Sequence, residues 1–150
     1  MAYGLIMKAS SLPAVTLPRL SSALEASWDR RTAYLGACRP GNPALGQCYP
    51  TSRVVQWFFP RLEIACGEVD TGSGFEAHFW NVDPACSPAE HVDLTWRQFA
   101  PGSKRGRFKI LDRGALNDTP PTVARCKLLL SRVLIKLEPL GAIDETGGAA

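Results

Sequence analysis

The spacing of apolar residues predicts helices at both ends of the chain. Over residues 17–28, leucines recur every three or four positions and the stripe ends at a tryptophan, which is typical of a helix with one buried face. Thr16 stands where it can cap this helix. A matching stripe over 120–137, preceded by Thr119, predicts the last helix.

A third helix is predicted between these two, from Cys48 to Pro60. Because Pro50 is tolerated only in a first helical turn, Cys48 is expected at the N-terminus of this helix. The residues behind it are apolar on nearly all sides, so the helix is expected to be buried. They are Val54, Val55, Trp57, Phe58 and Phe59.

In the middle of the chain, apolar and polar residues alternate, which is typical of β-strands. Strands are predicted over 62–69, 75–82 and 90–95, and residues 107–111 could add another. Helices that flank a run of adjacent strands indicate an α+β domain with a mainly antiparallel sheet.

Composition indicates the number of domains, the absence of a nucleic-acid partner and the expected location, but not a function. A chain of 150 residues suits one domain, expected over 1–137, with a flexible tail over 138–150. The net charge of +3 is too small to indicate nucleic acid as a partner, and the basic run 104–109 is interpreted as a solvated loop leading into a strand. No apolar run approaches a membrane span or a signal-peptide core, and the five cysteines are irregularly spaced, so the expected location is the cytoplasm.

Two predicted strands bring a histidine and a carboxylate together. If 75–82 and 90–95 form a hairpin in which Val82 pairs with Ala89, then His78 lies directly opposite Asp93. Opposed side chains in such a pair have Cβ atoms about 5 Å apart, so Asp93 could orient the imidazole.

Cys48 is the candidate nucleophile. A helix N-terminus favours a thiolate through its free N–H groups and its dipole. Gly46 allows close backbone approach to a substrate, and Gln47 adds an amide donor beside the thiol. With His78 as base and Asp93 as orienting residue, the chain carries the set of groups found in thiol enzymes. The alternative is that Cys48 is a small buried apolar residue.

Several motifs resemble the transglutaminase-like superfamily of papain-like cysteine proteins, and within it bacterial YunG-like proteins most closely. They are the segments 42–48, 54–56, 78–81 and 92–99, in that order along the chain. The resemblance implies a papain/transglutaminase-like core and acyl transfer through a thioester on Cys48. It implies an acyl donor (a peptide, a protein or a carrier-bound thioester) and an amine or water as acceptor. No cofactor and no metal are expected.

The chain departs from these relatives at Cys38, where they carry a tryptophan. An indole N–H can donate to the developing oxyanion in this superfamily, so another donor is needed here. Trp28, Trp80 and Gln47 are the candidates, together with backbone N–H groups.

Three other functions stay open at the level of sequence. The same triad could serve an amidase or peptidase, or the fold could be a non-catalytic binding module with aromatic residues lining a groove. A zinc site formed by Cys48, His78, Cys86 and His91 is the third, although no recognised zinc spacing is present. Alkylation with iodoacetamide separates the catalytic hypothesis from the binding module, because a catalytic Cys48 is expected to react fastest at neutral pH.

Overall fold

The structure is a computed structural model that describes residues 14–116 and 118–138. The four strands described there form one antiparallel sheet in the order β3-β2-β1-β4, so the predicted α+β class is confirmed. The helices are α1 (Leu17–Glu25), α2 (Cys48–Phe58) and α3 (Pro120–Lys136). The strands are β1 (Glu63–Asp70), β2 (Phe75–Asp83), β3 (Glu90–Val92) and β4 (Lys104–Ile110).

The predicted N-cap residues stand at the start of the first and last helices. Oγ1 of Thr16 accepts the N–H of Arg19 at 3.3 Å, and Oγ1 of Thr119 accepts the N–H of Thr122 at 3.4 Å. The first helix ends three residues earlier than predicted, at Glu25. Trp28 nevertheless lies in the core, because the turn after the helix folds it inward.

The three helices pack around one apolar core. The stripes of α1 and α3 meet the buried side of α2, so the predicted buried helix is confirmed. Removal of this apolar surface from water is the main stabilising contribution to the domain. The fully buried members on the three helices are Leu20, Leu24, Val54, Val55, Leu129, Leu130 and Val133.

Strand β2 has different partners on its two faces. On one face, Phe79 meets the Tyr49 ring edge-on at 4.9 Å between centroids, and Nδ2 of Asn81 donates to the carbonyl of Ser52 at 3.0 Å. Both contacts are with α2. Because successive side chains of a strand alternate between faces, His78 and Trp80 lie on the opposite face.

The predicted hairpin register is wrong by two residues. Val82 pairs with His91 rather than with Ala89, and β3 ends at Val92 instead of continuing to residue 95. A shift of two preserves the face of every side chain, because the repeat of a strand is two residues. His78 and Asp93 therefore still share a face, but they meet diagonally and past the end of β3.

The basic run 104–109 is itself strand β4, which corrects its interpretation as a loop. It lies at the edge of the sheet, where charged side chains can point into water. The predicted tail lies outside the described residues from 139 onward. Among the described helices, none has the length and apolar character needed to cross a membrane.

Replacement of Gly67 by alanine should destabilise the domain. An added Cβ would lie 2.4 Å from the carbonyl oxygen of Arg107 and 2.7 Å from the Trp80 ring, where β1 is held between two strands. We expect Gly67→Ala to lower the free energy of unfolding in urea by about 1–3 kcal/mol. Gly41→Ala is the control, because a Cβ there meets nothing within 4 Å. Equal effects of the two substitutions would contradict this account.

Candidate active site

A buried histidine bonded to a carboxylate forms the centre of the candidate site. His78 is fully buried, and its Nε2 donates to Oδ2 of Asp93 at 2.7 Å. Because a carboxylate only accepts, the proton of the neutral ring lies on Nε2 and Nδ1 keeps its lone pair. Within the described residues, this buried Nδ1 has no hydrogen-bond partner. The ring is therefore oriented with a basic nitrogen available.

Asp93 is held by groups besides the histidine. Nη2 of Arg105 approaches the same Oδ2 at 3.4 Å, and the backbone N–H of Thr95 donates to Oδ1 at 3.3 Å. The Arg105 guanidinium also lies over the Trp80 and Trp96 rings, at 5.0 and 5.2 Å from their centroids. Sequence analysis missed Arg105, because its place in a basic run indicated a solvated residue.

Aromatic rings enclose the imidazole. Trp80 stacks on it with centroids 5.5 Å apart, and Phe99 meets it edge-on at 4.8 Å. Trp96 adds a second edge contact at 6.2 Å. Such packing keeps water from His78 and restricts rotation of the ring, so its orientation does not depend on Asp93 alone.

Cys48 begins α2, as predicted, and its half-buried thiol lies against strand β2. The sulfur accepts the backbone N–H of Phe79, the residue that follows His78, and the Asp93 carboxylate is close enough to influence its ionisation. Strand β3 pairs with β2 only from Asn81 to Asp83, so the edge of β2 beside Phe79 has no strand partner on that side. Among the described residues, no hydrogen bond joins the thiol to the imidazole.

The resting thiol is neutral, which corrects the expected thiolate. Burial raises the pKa of Cys48 to about 11, and the nearby Asp93 adds to the increase. The backbone N–H groups of Phe79, Tyr49 and Cys48 itself act in the opposite direction but do not outweigh burial. The helix N-terminus thus supplies the expected N–H donors, but the thiol is too buried for them to stabilise a resting thiolate.

A cavity of about 630 Å³ opens on Cys48. Its walls are mainly apolar, and such a pocket with a few polar groups is the usual form of a small-molecule site. The apolar part includes Leu45, Ala77, Phe79, Leu111, Ala115 and Leu116, and the polar part includes Gln98, Asp118, Thr122 and Arg125.

The three predicted oxyanion donors all bond elsewhere. Nε2 of Gln47 donates to the carbonyl of Asp29 at 2.9 Å, and its Oε1 accepts the Thr32 hydroxyl. Nε1 of Trp28 donates to Oγ1 of Thr51 at 3.0 Å. None of the three predicted donors lines the cavity.

Trp80, the third of these donors, bonds to the second histidine of the chain. Its Nε1 donates to Nδ1 of His91 at 2.9 Å. Burial, with Arg105 close by, lowers the pKa of His91, which agrees with a neutral ring that accepts this bond. The indole N–H therefore serves the packing of this face of the sheet.

Gln98 is a donor that sequence analysis missed. It lines the cavity together with Cys48, and its Nε2 donates to the carbonyl of Thr95 at 3.1 Å. An amide nitrogen carries two N–H groups, so a second one is available.

The four residues of the zinc hypothesis do not assemble. Nε2 of His78 is bonded to Asp93 and Nδ1 of His91 accepts from Trp80. In the described part of the chain, the group spaced for a metal is a different one, Asp83 with Cys86 and Glu90 at the hairpin.

A buried ion pair supports the cavity wall beside the thiol. Oδ1 of Asp118 accepts the Tyr49 hydroxyl at 2.5 Å, and Oδ2 lies 3.1 Å from Nη2 of Arg53. Burial and this carboxylate raise the pKa of Tyr49, so the phenol stays protonated and donates. The pair ties α2 to the segment that leads into α3.

Together, the fold and the site define an α+β domain in which a cysteine heads a helix beside a sheet that carries a histidine–carboxylate pair. The chain belongs to the YunG family: the family model described as YunG protein matches residues 16–138. That match includes α3, which the motif resemblance did not reach. Searches of curated proteins and of solved structures found no match.

The ionisation of Cys48 gives a testable pH dependence. Because burial raises the thiol pKa to about 11, alkylation by iodoacetamide should accelerate with pH up to that value. In the urea-unfolded chain, the same cysteine should level off near its ordinary pKa of about 8.5. Peptide mass spectrometry measures both rates. A plateau between pH 6 and 7 in the folded protein would instead reveal a resting thiolate–imidazolium pair.

Proposed function

We propose that this protein is a cysteine-dependent acyltransferase of the transglutaminase-like type, which forms an amide through a thioester on Cys48. The observation that carries the proposal is the buried His78 ring, bonded to Asp93 through Nε2 while Nδ1 has no partner in the described residues. A purely structural histidine would be expected to satisfy both nitrogens when fully buried.

The position of the thiol supports the same proposal. The hydrogen bond to Asp93 draws the His78 ring toward the side of β2 on which β3 lies, and Cys48 occupies the uncovered edge on that side. A donor entering the cavity would reach the sulfur there. The proposed reaction requires a movement that brings sulfur and Nδ1 into hydrogen-bond distance, and catalytic hydrogen bonds often tighten only in the substrate complex.

In the proposed reaction, Nδ1 of His78 takes the thiol proton as the Cys48 sulfur attacks the acyl carbon. The tetrahedral intermediate collapses, and the proton passes from Nδ1 to the leaving group, which departs and leaves a thioester. An amine then loses its proton to Nδ1 and attacks the thioester, and the released sulfur regains the proton. Asp93 stabilises the imidazolium in both halves. A neutral resting thiol suits this sequence, because the proton moves only when the donor is bound.

Trapping the acyl-enzyme tests the proposal directly. We expect the N-acetylcysteamine thioester of hexanoic acid to leave a hexanoyl adduct on Cys48, detected by peptide mass spectrometry, and added butylamine to convert it to hexanoyl butylamide. Cys48→Ala should abolish the adduct, and Cys38→Ala should retain it, because Cys38 is another half-buried free cysteine that does not line the cavity. Asp93→Asn should slow acylation by several orders of magnitude, about 10⁴-fold in the best-studied triad.

The outcomes of this experiment separate the candidate functions. Release of hexanoate at every amine concentration would assign a hydrolase with the same triad. If a correctly folded protein forms no adduct, the result would favour a non-catalytic binding module. Circular dichroism of each variant controls for misfolding, which matters most at the buried Asp93.

A second prediction concerns the oxyanion. The donors available around the cavity are the backbone N–H groups at the start of α2 and the second amide N–H of Gln98. Gln98→Ala should therefore slow acylation of Cys48 by about 10²-fold. The neighbouring Arg97→Ala is the control, since Arg97 pairs with Glu25 outside the cavity. An unchanged rate in Gln98→Ala would place the oxyanion donors on the backbone alone.

A further inference from the structure

The cavity beside Cys48 contains a cation that has no counter-ion among the described residues. Arg125, in the second turn of α3, lines the same cavity as the thiol. Its Nη2 donates to Oγ1 of Thr122 at 3.0 Å, and its guanidinium lies over the Tyr34 ring, 5.4 Å from the centroid. These contacts orient the guanidinium without neutralising its charge.

Neither acidic residue of the cavity wall pairs with this cation. Both oxygens of Asp118 are engaged, one by the Tyr49 hydroxyl and the other by Arg53. Glu76 is exposed on β2, and within residues 14–116 and 118–138 no carboxylate forms an ion pair with Arg125. Its Nε is buried and lacks a hydrogen-bond partner there.

An arginine in this state is suited to a carboxylate brought by the ligand. A guanidinium can form two parallel hydrogen bonds to a carboxylate, and such charged bonds are stronger than neutral ones. A buried N–H without a partner is unfavourable, so an acceptor supplied by the ligand would complete the site. Tyr34, which lies against the guanidinium, is 59% exposed, so this end of the cavity is open to solvent.

We propose that Arg125 recognises a carboxylate on the acyl donor, and that the preferred donors are mainly apolar acyl groups carrying a carboxylate away from the reacting carbon. The apolar part would contact walls such as Leu45, Leu111 and Leu116. The inference rests on the proposed function for the position of the reacting carbon, whereas the anion site itself rests on the unpaired guanidinium in the cavity.

A binding experiment tests the anion site without requiring catalysis. The probes are adipic acid monoamide and hexanamide, which share a six-carbon chain and differ by a carboxylate in place of a methyl group. Isothermal titration of the protein should show the monoamide binding about tenfold more tightly. Arg125→Gln should remove that preference and leave hexanamide binding unchanged, and Arg125→Lys should retain part of it.

Lys127→Gln is the matched control, since it removes a positive charge from an exposed position of the same helix that does not line the cavity. Equal affinity for the two probes in the unmodified protein would overturn the proposal. So would an equal loss of the preference in Arg125→Gln and Lys127→Gln, because the net charge alone would then explain it.

An acylation experiment separates this inference from the proposed function. The N-acetylcysteamine thioesters of adipic and hexanoic acid are compared for the rate of adduct formation on Cys48, with adipate expected about tenfold faster. A carboxylate preference in binding without any adduct would refute the acyltransferase and keep the anion site. Adducts formed at equal rates from both thioesters would refute the anion site and keep the acyltransferase.

Discussion

The hydrogen bond between His78 and Asp93 is the constraint on which the candidate site depends. It joins the middle of β2 to the residue that follows β3, and Arg105 of β4 approaches the same carboxylate oxygen. A fully buried imidazole needs such a partner, since an unsatisfied polar group in a dry interior is destabilising. This bond therefore fixes the tautomer and, together with the aromatic rings around it, the orientation of the imidazole.

Burial also determines the ionisation of Cys48, the proposed nucleophile. A helix N-terminus at the surface favours a thiolate, but Cys48 lies against β2, where burial outweighs three N–H groups and raises its pKa to about 11. The thiol of Cys48 therefore keeps its proton at neutral pH while the site is empty. A protonated thiol reacts more slowly than a thiolate, and for the same reason it is protected from adventitious oxidation.

Packing decided which polar groups bond within the fold and which face the cavity. Gln47, Trp28 and Trp80 carry the donors that a sequence argument would choose for an oxyanion, yet each bonds to a neighbour in the fold and none lines the cavity. Gln98 and Arg125 line the cavity although neither was a predicted site residue. Arg125 occupies an amphipathic helix, where an arginine is ordinarily a solvated residue.

Sequence by itself determined the elements and the face on which each residue lies. Pro50 placed Cys48 at a helix start, and the two-residue repeat placed His78 and Asp93 on one face even though the pairing register was wrong by two residues. Only the tertiary structure decided the register, the start of β4 at Lys104 rather than at residue 107, the protonation of the thiol and the groups that reach the cavity. The physical reason is range: helix starts and strand faces follow from neighbours in the chain, whereas burial and hydrogen-bond partners depend on segments far apart in sequence.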